Sequence, residues 1–343
     1  MSNVLLVCHV SPKVGIGHLS RLLAVAQKLK VDGKINPEFL IFGTPEAQYN
    51  LRDFDKYIYP ESSNLSISIK SIVSKSDVKA VVFDLYMECN LDNFEDLLVW
   101  LKDRGIKLVS VDGLIEYCNK LDLVWMPSFD FDLSRHKDCT CLLYSGWSSF
   151  LIQKKFDIRE WSPGNKILIL TGGGDTAKLG ETIPAKLDNL LDIGMELHWV
   201  KGPFAGFPKL PKKRRLNWII HDAPLGLDEL IVKSNYVMTV FGVSFFEVLQ
   251  YGIPTVVFSP YGAKDNDELV ALSKEGVALV SSSAQSAISN LISLINDEKA
   301  ARECSVNALQ AMSVNGVQKF CKKIYFLIES KSNETNRIYS LSP

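Results

Sequence analysis

Hydrophobic and polar positions along this chain follow a repeating grammar. Short apolar runs rich in β-branched residues end in Gly- or Asp-containing turns, and longer stretches with helical spacing follow them. Asn3 to Val10 is the first such run and predicts a buried strand. After Ser11-Pro12-Lys13-Val14-Gly15-Ile16-Gly17-His18, residues Leu19, Leu22, Leu23, Ala26 and Leu29 fall on one stripe of a helix over 19–30. Phe39 to Phe42 and Val78 to Phe83 predict further strands, the second ending in Asp84. The spacing of Phe94, Leu97, Leu98 and Leu101 predicts a helix over 91–104, and Lys107 to Val111 a strand ending in Asp112. Leu121 to Met126 and Cys141 to Tyr144 complete the first half.

A polar, turn-rich segment over 157–165, with Pro163-Gly164, marks a boundary, and the grammar then restarts. Lys166 to Leu170 predicts a strand, Thr171-Gly172-Gly173-Gly174-Asp175-Thr176 a turn, and the stretch to about Leu191 a helix. Met195 to Val200 and Trp218 to Ile220 predict strands, the latter ending at His221-Asp222, with a basic loop over 208–215 between them. A short helix over 228–232 precedes a compact unit: strand Tyr236 to Val240, Gly242, a helix opening near Ser244, a Gly252-Ile253-Pro254 break, and a strand to Phe258. A polar loop from Ser259, a helix to Glu275, a Val277 to Val280 strand and three helical stretches to about Ser330 follow. The 343 residues exceed what one core usually holds. The expectation is α/β, with domains over 1–158 and 159–332 facing one another across a cleft, and a frayed tail over 333–343.

Composition narrows the partners. Lys+Arg 38 against Asp+Glu 39 leaves no overall charge to attract a polyanion, so nucleic acid is not an expected partner. The basic run Lys212-Lys213-Arg214-Arg215 reads as a solvated loop. The first residues lack a basic n-region and a cleavage site, and no unbroken apolar run reaches membrane-spanning length, which points to the cytoplasm. Of the scattered cysteines, Cys139 and Cys141 are the one close pair, with no second pair to complete a zinc site. Reduced structural thiols are expected throughout.

The turns carry the candidate chemistry. Gly15 and Gly17 let the backbone approach a ligand, and they place His18 at a helix start. The segment is not a dinucleotide fingerprint, because Ser20 stands where a third glycine would. Asp84 and Asp112, at the carboxyl ends of parallel strands, fall on the ligand side of such a sheet, although helix capping and turn formation explain them equally. Gly172, Gly173 and Gly174 can expose a nest of amides to an anion, or simply make a tight turn. A helix opening after Gly242, at Val243 and Ser244, presents free amides to a phosphate. Glu247, one turn on, can accept the hydroxyls of a ribose, as at other nucleotide crevices, or can be an ordinary surface glutamate.

These residues resemble the GT-B nucleotide-sugar enzymes, two Rossmann-like domains, and within them the MurG-like group that includes the pseudaminic acid pathway's UDP-sugar hydrolase (PseG) and the spore-coat protein SpsG. Gly15-Ile16-Gly17-His18-Leu19-Ser20-Arg21 is similar to their G-x-G-H-x-x-R opening. Val82-Phe83-Asp84-Leu85-Tyr86 and Val109-Ser110-Val111-Asp112 resemble the hydrolase's acid-ended strands, and Tyr144 to Leu151 and Gly172 to Asp175 its C-G-x-x-Y-x-L-L and G-G-x-D segments. Gly242 to Glu247 followed by Gly252-Ile253-Pro254 resembles the donor-binding region of the whole group. The likeness runs from Gly15 to Pro254.

The resemblance implies a UDP-linked sugar donor as substrate, with no separate cofactor and no metal. It sets Gly173 and Ser244 near the diphosphate and Glu247 on the ribose; Asp222 is grouped with this donor set. His18 is implied as general base, and Asp84 and Asp112 are grouped with it as catalytic. Where hydrolase-like chains carry Asp-Asp, an Arg and Asn-Gln, this one has Asp112-Gly113, Gln153 and Lys264-Asp265. The expectation is therefore transfer to a carbohydrate or glycolipid acceptor in bacterial surface-glycan synthesis, with hydrolysis by water as the alternative. A peripheral membrane contact through Leu114-Ile115 and Trp125-Met126 of the first domain is a further expectation, with core packing the alternative at both places.

Overall fold

A computed structural model of the protein describes residues 2–44, 51–86, 88–260 and 262–330, so the expected tail over 333–343 lies outside the described residues. Each expected apolar run from Asn3 onward forms a strand, and all pairings are parallel. The first sheet comprises β1 (Asn3–Val10), β2 (Asn36–Gly43), β3 (Asp55–Tyr59), β4 (Val78–Asp84), β5 (Lys107–Val111), β6 (Leu123–Trp125) and β7 (Leu142–Tyr144). Their order is β3-β2-β1-β4-β5-β6-β7. Strands buried on both faces read as continuous apolar runs, which is why β1 and β4 were legible.

Helix α1 (Gly17–Asp32) packs on β1 and β2, while α2 (Leu65–Val73) and α3 (Phe94–Lys102) cover the other face through Ile69, Leu97 and Leu101 against Leu5, Val7 and Phe83. Two elements, β3 and α2, fall where the sequence reading placed none. β3 is an edge strand, Asp55-Lys56-Tyr57-Ile58-Tyr59, whose residues are exposed or half-buried, so no apolar run announces it.

The second sheet is built from β8 (Lys166–Leu170), β9 (Glu196–Lys201), β10 (Asn217–Asp222), β11 (Tyr236–Val240), β12 (Thr255–Phe258) and β13 (Leu279–Ser281), in the order β10-β9-β8-β11-β12-β13. Its helices are α4 (Leu179–Leu190), α5 (Asp228–Val232), α6 (Val243–Leu249), α7 (Asn266–Glu275), α8 (Ala284–Asn296) and α9 (Glu298–Ala311). The last helix, α10 (Gly316–Glu329), leaves this unit. The chain passes to the second unit at Lys154 and returns to the first at Asn315, so the residues over 315–330, which the sequence reading gave to the second domain, belong with the first. There α10 packs against α1, and Phe320 meets Trp125 edge-on with centroids 5.1 Å apart.

The cysteine expectation is corrected at one place. Cys118 and Cys139 form a disulfide, with Cα atoms 5.4 Å apart. Their separation of 21 residues hid the pairing, because the chain first runs through β6 before Cys139 comes beside the end of a short 3-10 turn at Ile115–Tyr117. Cys8, Cys89, Cys141, Cys304 and Cys321 are unpaired thiols. Among the described residues no helix is long and apolar enough to cross a membrane.

Candidate functional site

In the first sheet the chain runs outward from β1 through β2 to β3, and outward from β4 through β5 to β7. The strand order therefore reverses between β1 and β4, and a crevice opens beyond their carboxyl ends. The turn leaving β1 closes on itself: the Gly15 N–H donates to the Ser11 carbonyl at 2.7 Å, with Gly15 at φ +82°. Gly17 is the first residue of α1, which places His18 in its opening turn and Arg21 one turn later on the same side. Asp84 ends β4 in register with Cys8.

These positions converge. His18 Nδ1 lies 2.6 Å from Asp84 Oδ1, and the Arg21 guanidinium grips the same carboxylate through Nε (3.0 Å to Oδ2) and Nη2 (2.7 Å to Oδ1). Arg21 Nη1 also donates to Asp112 Oδ2 at 2.6 Å. Asp84 is 0% and Arg21 8% exposed. Asp112, which leaves β5 with φ +59°, is the partly exposed member.

Charge explains why this cluster survives burial. Burial pushes the Asp84 carboxyl upward, but the attraction of Arg21 and then of His18 outweighs it and holds it below the usual carboxylate range. Burial likewise disfavours the Arg21 charge, and Asp112 and Asp84 together more than restore it. Facing an ionised carboxylate, His18 Nδ1 must carry a proton. The 3.2 Å approach of Arg21 Nη2 to that nitrogen then sets donor against donor and is not a hydrogen bond. In the neutral imidazole the lone pair is then on Nε2.

Sequence reasoning named His18, Asp84 and Asp112, quoted Arg21 only as part of the opening motif without a role, and passed over His9. Arg21 had a signal, the three-residue spacing from His18 on one helix face opposite two acid-ended strands. His9 had a weaker one, a lone imidazole in an otherwise apolar strand. It is buried, stacks on Phe42 with centroids 5.4 Å apart, and is held to a pKa of about 4 by burial and by its neighbour His18. Of the residues offered for an apolar patch on the first unit, Trp125 is wholly buried, and Leu114, Ile115 and Met126 are half-buried and pack against the core.

The second sheet repeats the reversal, between β8 and β11. Gly172 leaves β8 at φ +82°, and the loop leaving β9 lies directly on this turn. Phe204 N–H donates to the Gly173 carbonyl at 2.9 Å, and a methyl added to Gly202 would sit 2.3 Å from the Gly172 carbonyl oxygen. The Thr171 hydroxyl beside it is buried without a partner. Asp175 accepts from the Leu179 and Gly180 amides at 2.8 Å each, so it takes the first amides of α4 for itself. On the β11 side Gly242, at φ +147°, precedes α6, which opens at Val243. Phe245, Phe246, Val248 and Leu249 are buried, whereas Val243, Ser244 and Glu247 share the half-buried face. Asp222 stands apart from this group. It ends β10, three strands and so about 14 Å from β11, and pairs with Lys201 at 2.6 Å.

No protein-family model and no curated protein matches this sequence. Solved structures do match it in fold. Acinetobacter baumannii MurG superposes with a TM-score of 0.63 at 16% identity, over 95% of this chain and 100% of that one. The protein has the GT-B fold. The same GT-B architecture matches Phytolacca americana UGT2 complexed with UDP-2fluoro-glucose and pterostilbene, with a TM-score of 0.63 and 12% identity over 95% and 100% of the chains. It also matches the calicheamicin glycosyltransferase CalG4, with a TM-score of 0.61 and 12% identity over 96% and 99%.

Proposed function

We propose that the protein is a glycosyltransferase that takes a UDP-linked sugar as donor and passes the sugar to a hydroxyl of a carbohydrate or glycolipid in surface-glycan synthesis. The observation that carries this reading is the His18–Asp84–Arg21 arrangement at the reversal of the first sheet. It is an imidazole with one nitrogen tied to a buried ionised carboxylate and the other free. Nε2 takes the proton of the incoming hydroxyl, the oxygen attacks the anomeric carbon, and the bond to the diphosphate breaks with its electron pair on the leaving oxygen. Asp84 stabilises the imidazolium that forms, and Arg21 keeps Asp84 ionised. The donor's diphosphate is assigned to the Gly172 to Gly174 turn with Ser244, and its ribose to Glu247. The amides there offset charge that grows as the bond breaks. The match to a GT-B protein solved with UDP-2fluoro-glucose supports this kind of donor.

The test is incubation with a panel of UDP- and CMP-sugars, with and without candidate acceptors, and detection of free nucleotide by mass spectrometry. Transfer releases UDP only when acceptor is present; release into water alone overturns it in favour of hydrolysis. His18→Ala is expected to lower kcat about 10²–10⁴-fold with UDP binding retained, and Asp84→Asn to act in the same direction. Unchanged turnover in His18→Ala removes the base role.

A further inference from the structure

Neither the base chemistry nor the donor turn uses the run Lys212-Lys213-Arg214-Arg215, and the structure gives it a specific setting. The segment from Phe207 to Leu216 is laid along α4. Its Lys209 N–H donates to the Gly180 carbonyl in the first turn of the helix, and its Arg215 backbone and guanidinium bond to Asp188 and Asn189 in the last. Arg215 is therefore spent on the helix end. Lys212, Lys213 and Arg214 are exposed and, among the described residues, make no ion pair or hydrogen bond. Of the two acids on α4, Asp188 is buried and holds Arg215, Leu216 and Trp218, and Glu181 is paired with Lys209. Asp192 follows the helix end.

Apolar side chains stand in solvent at both ends of the same strip. Phe207 is 65% exposed at one end, and Leu190 (52%) and Ile193 (77%) at the other. Beside Leu190 the ends of α4 and α8 leave a notch lined by Met195, Ile292 and Ile295 together with Asp192 and Asn296. With α4 between them, the two apolar ends are about 18 Å apart. Cations strung between protruding apolar groups suit a surface that offers negative headgroups over accessible hydrocarbon.

We propose that this face of the second unit docks on a bilayer of anionic lipid. Nucleic acid fits less well, because it would engage Lys212, Lys213 and Arg214 but offers nothing to Leu190, Ile193 and the notch behind them. The surface is independent of the donor and base assignments, and its use would bring a lipid-linked acceptor to a protein that has no described membrane-spanning helix.

The experiment is sedimentation of the full chain with phosphatidylcholine vesicles, with and without phosphatidylglycerol. Binding is expected only to the phosphatidylglycerol vesicles and to weaken as salt is raised. Each cation near such a surface accounts for about fivefold in affinity, so K212E/K213E/R214E is expected to reduce binding at least ~100-fold with the melting temperature unchanged. Ile193→Ser, a substitution of an exposed side chain, is expected to lower affinity several-fold with the salt dependence intact. The proposal is overturned by absence of vesicle binding, by binding indifferent to phosphatidylglycerol or to the triple substitution, or by tighter binding to a homopolymeric RNA than to vesicles.

Discussion

Asp84 shows how one residue can organise a charged cluster from inside the core. It has no exposed surface, yet it fixes which His18 nitrogen is free and what charge the cluster carries. Its position was legible because an acid ending an apolar strand stands out. Arg21 was obscured because an arginine in the second turn of a helix has many ordinary explanations. His9 illustrates a different kind of residue, one whose burial has a measurable price in acid. Its pKa is lowered from 6.5 to about 4, so between those values the unfolded chain binds the proton that the folded one refuses. Stability contributed by the neutral imidazole is thus fully present above pH 6.5 and is lost as pH falls toward 4. The loss from this residue should be about 2 kcal/mol between pH 7 and pH 5. His9→Phe, which keeps a ring against Phe42, is expected to flatten the pH dependence of urea unfolding by that amount. Identical slopes in variant and parent would show that His9 titrates normally.

At the scale of elements, the alternation of apolar runs and helical stripes was enough to place the central strands, because strands covered on both faces have no polar positions to blur them. The edge strand β3 has few buried positions and gave no signal. Nor could periodicity reveal that the turn after β8 is braced from the side. Gly202 lies against Gly172 and Gly173, and this contact exists only because β9 pairs beside β8. Gly202→Ala drives a methyl into two backbone carbonyls and is expected to lower stability by about 1–3 kcal/mol in urea unfolding, with weaker UDP binding by calorimetry. Gly206→Ala is the matched control, since nothing lies within 4 Å of the added methyl. Equal behaviour of the two variants would mean that the turn after β8 is not held by this contact. Similarly, the sequence reading grouped Asp222 with Gly242 and Glu247, whereas strand order sets it at the far edge with Lys201.

At the scale of the molecule, the two units are not two consecutive pieces of chain. Helix α10 buries Phe320, Cys321 and Ile324 in the first unit, and its Tyr325 hydroxyl donates to Asp32 at 3.0 Å. A chain ending at Val314 leaves Trp125 without Phe320 and uncovers the apolar surface beneath α10. Such a truncation is expected to bind a hydrophobic dye and to show red-shifted tryptophan emission; a spectrum like that of the full chain would mean that α10 is dispensable to the core. The same helix sets a clock for biosynthesis. The N-terminal unit is the first to leave the ribosome but must wait for the residues over 154–314, roughly 10–30 s at about 5–20 residues per second. During that wait its unfinished face is open to chaperones, and the C-terminal unit, though made later, is the first to have all of its parts.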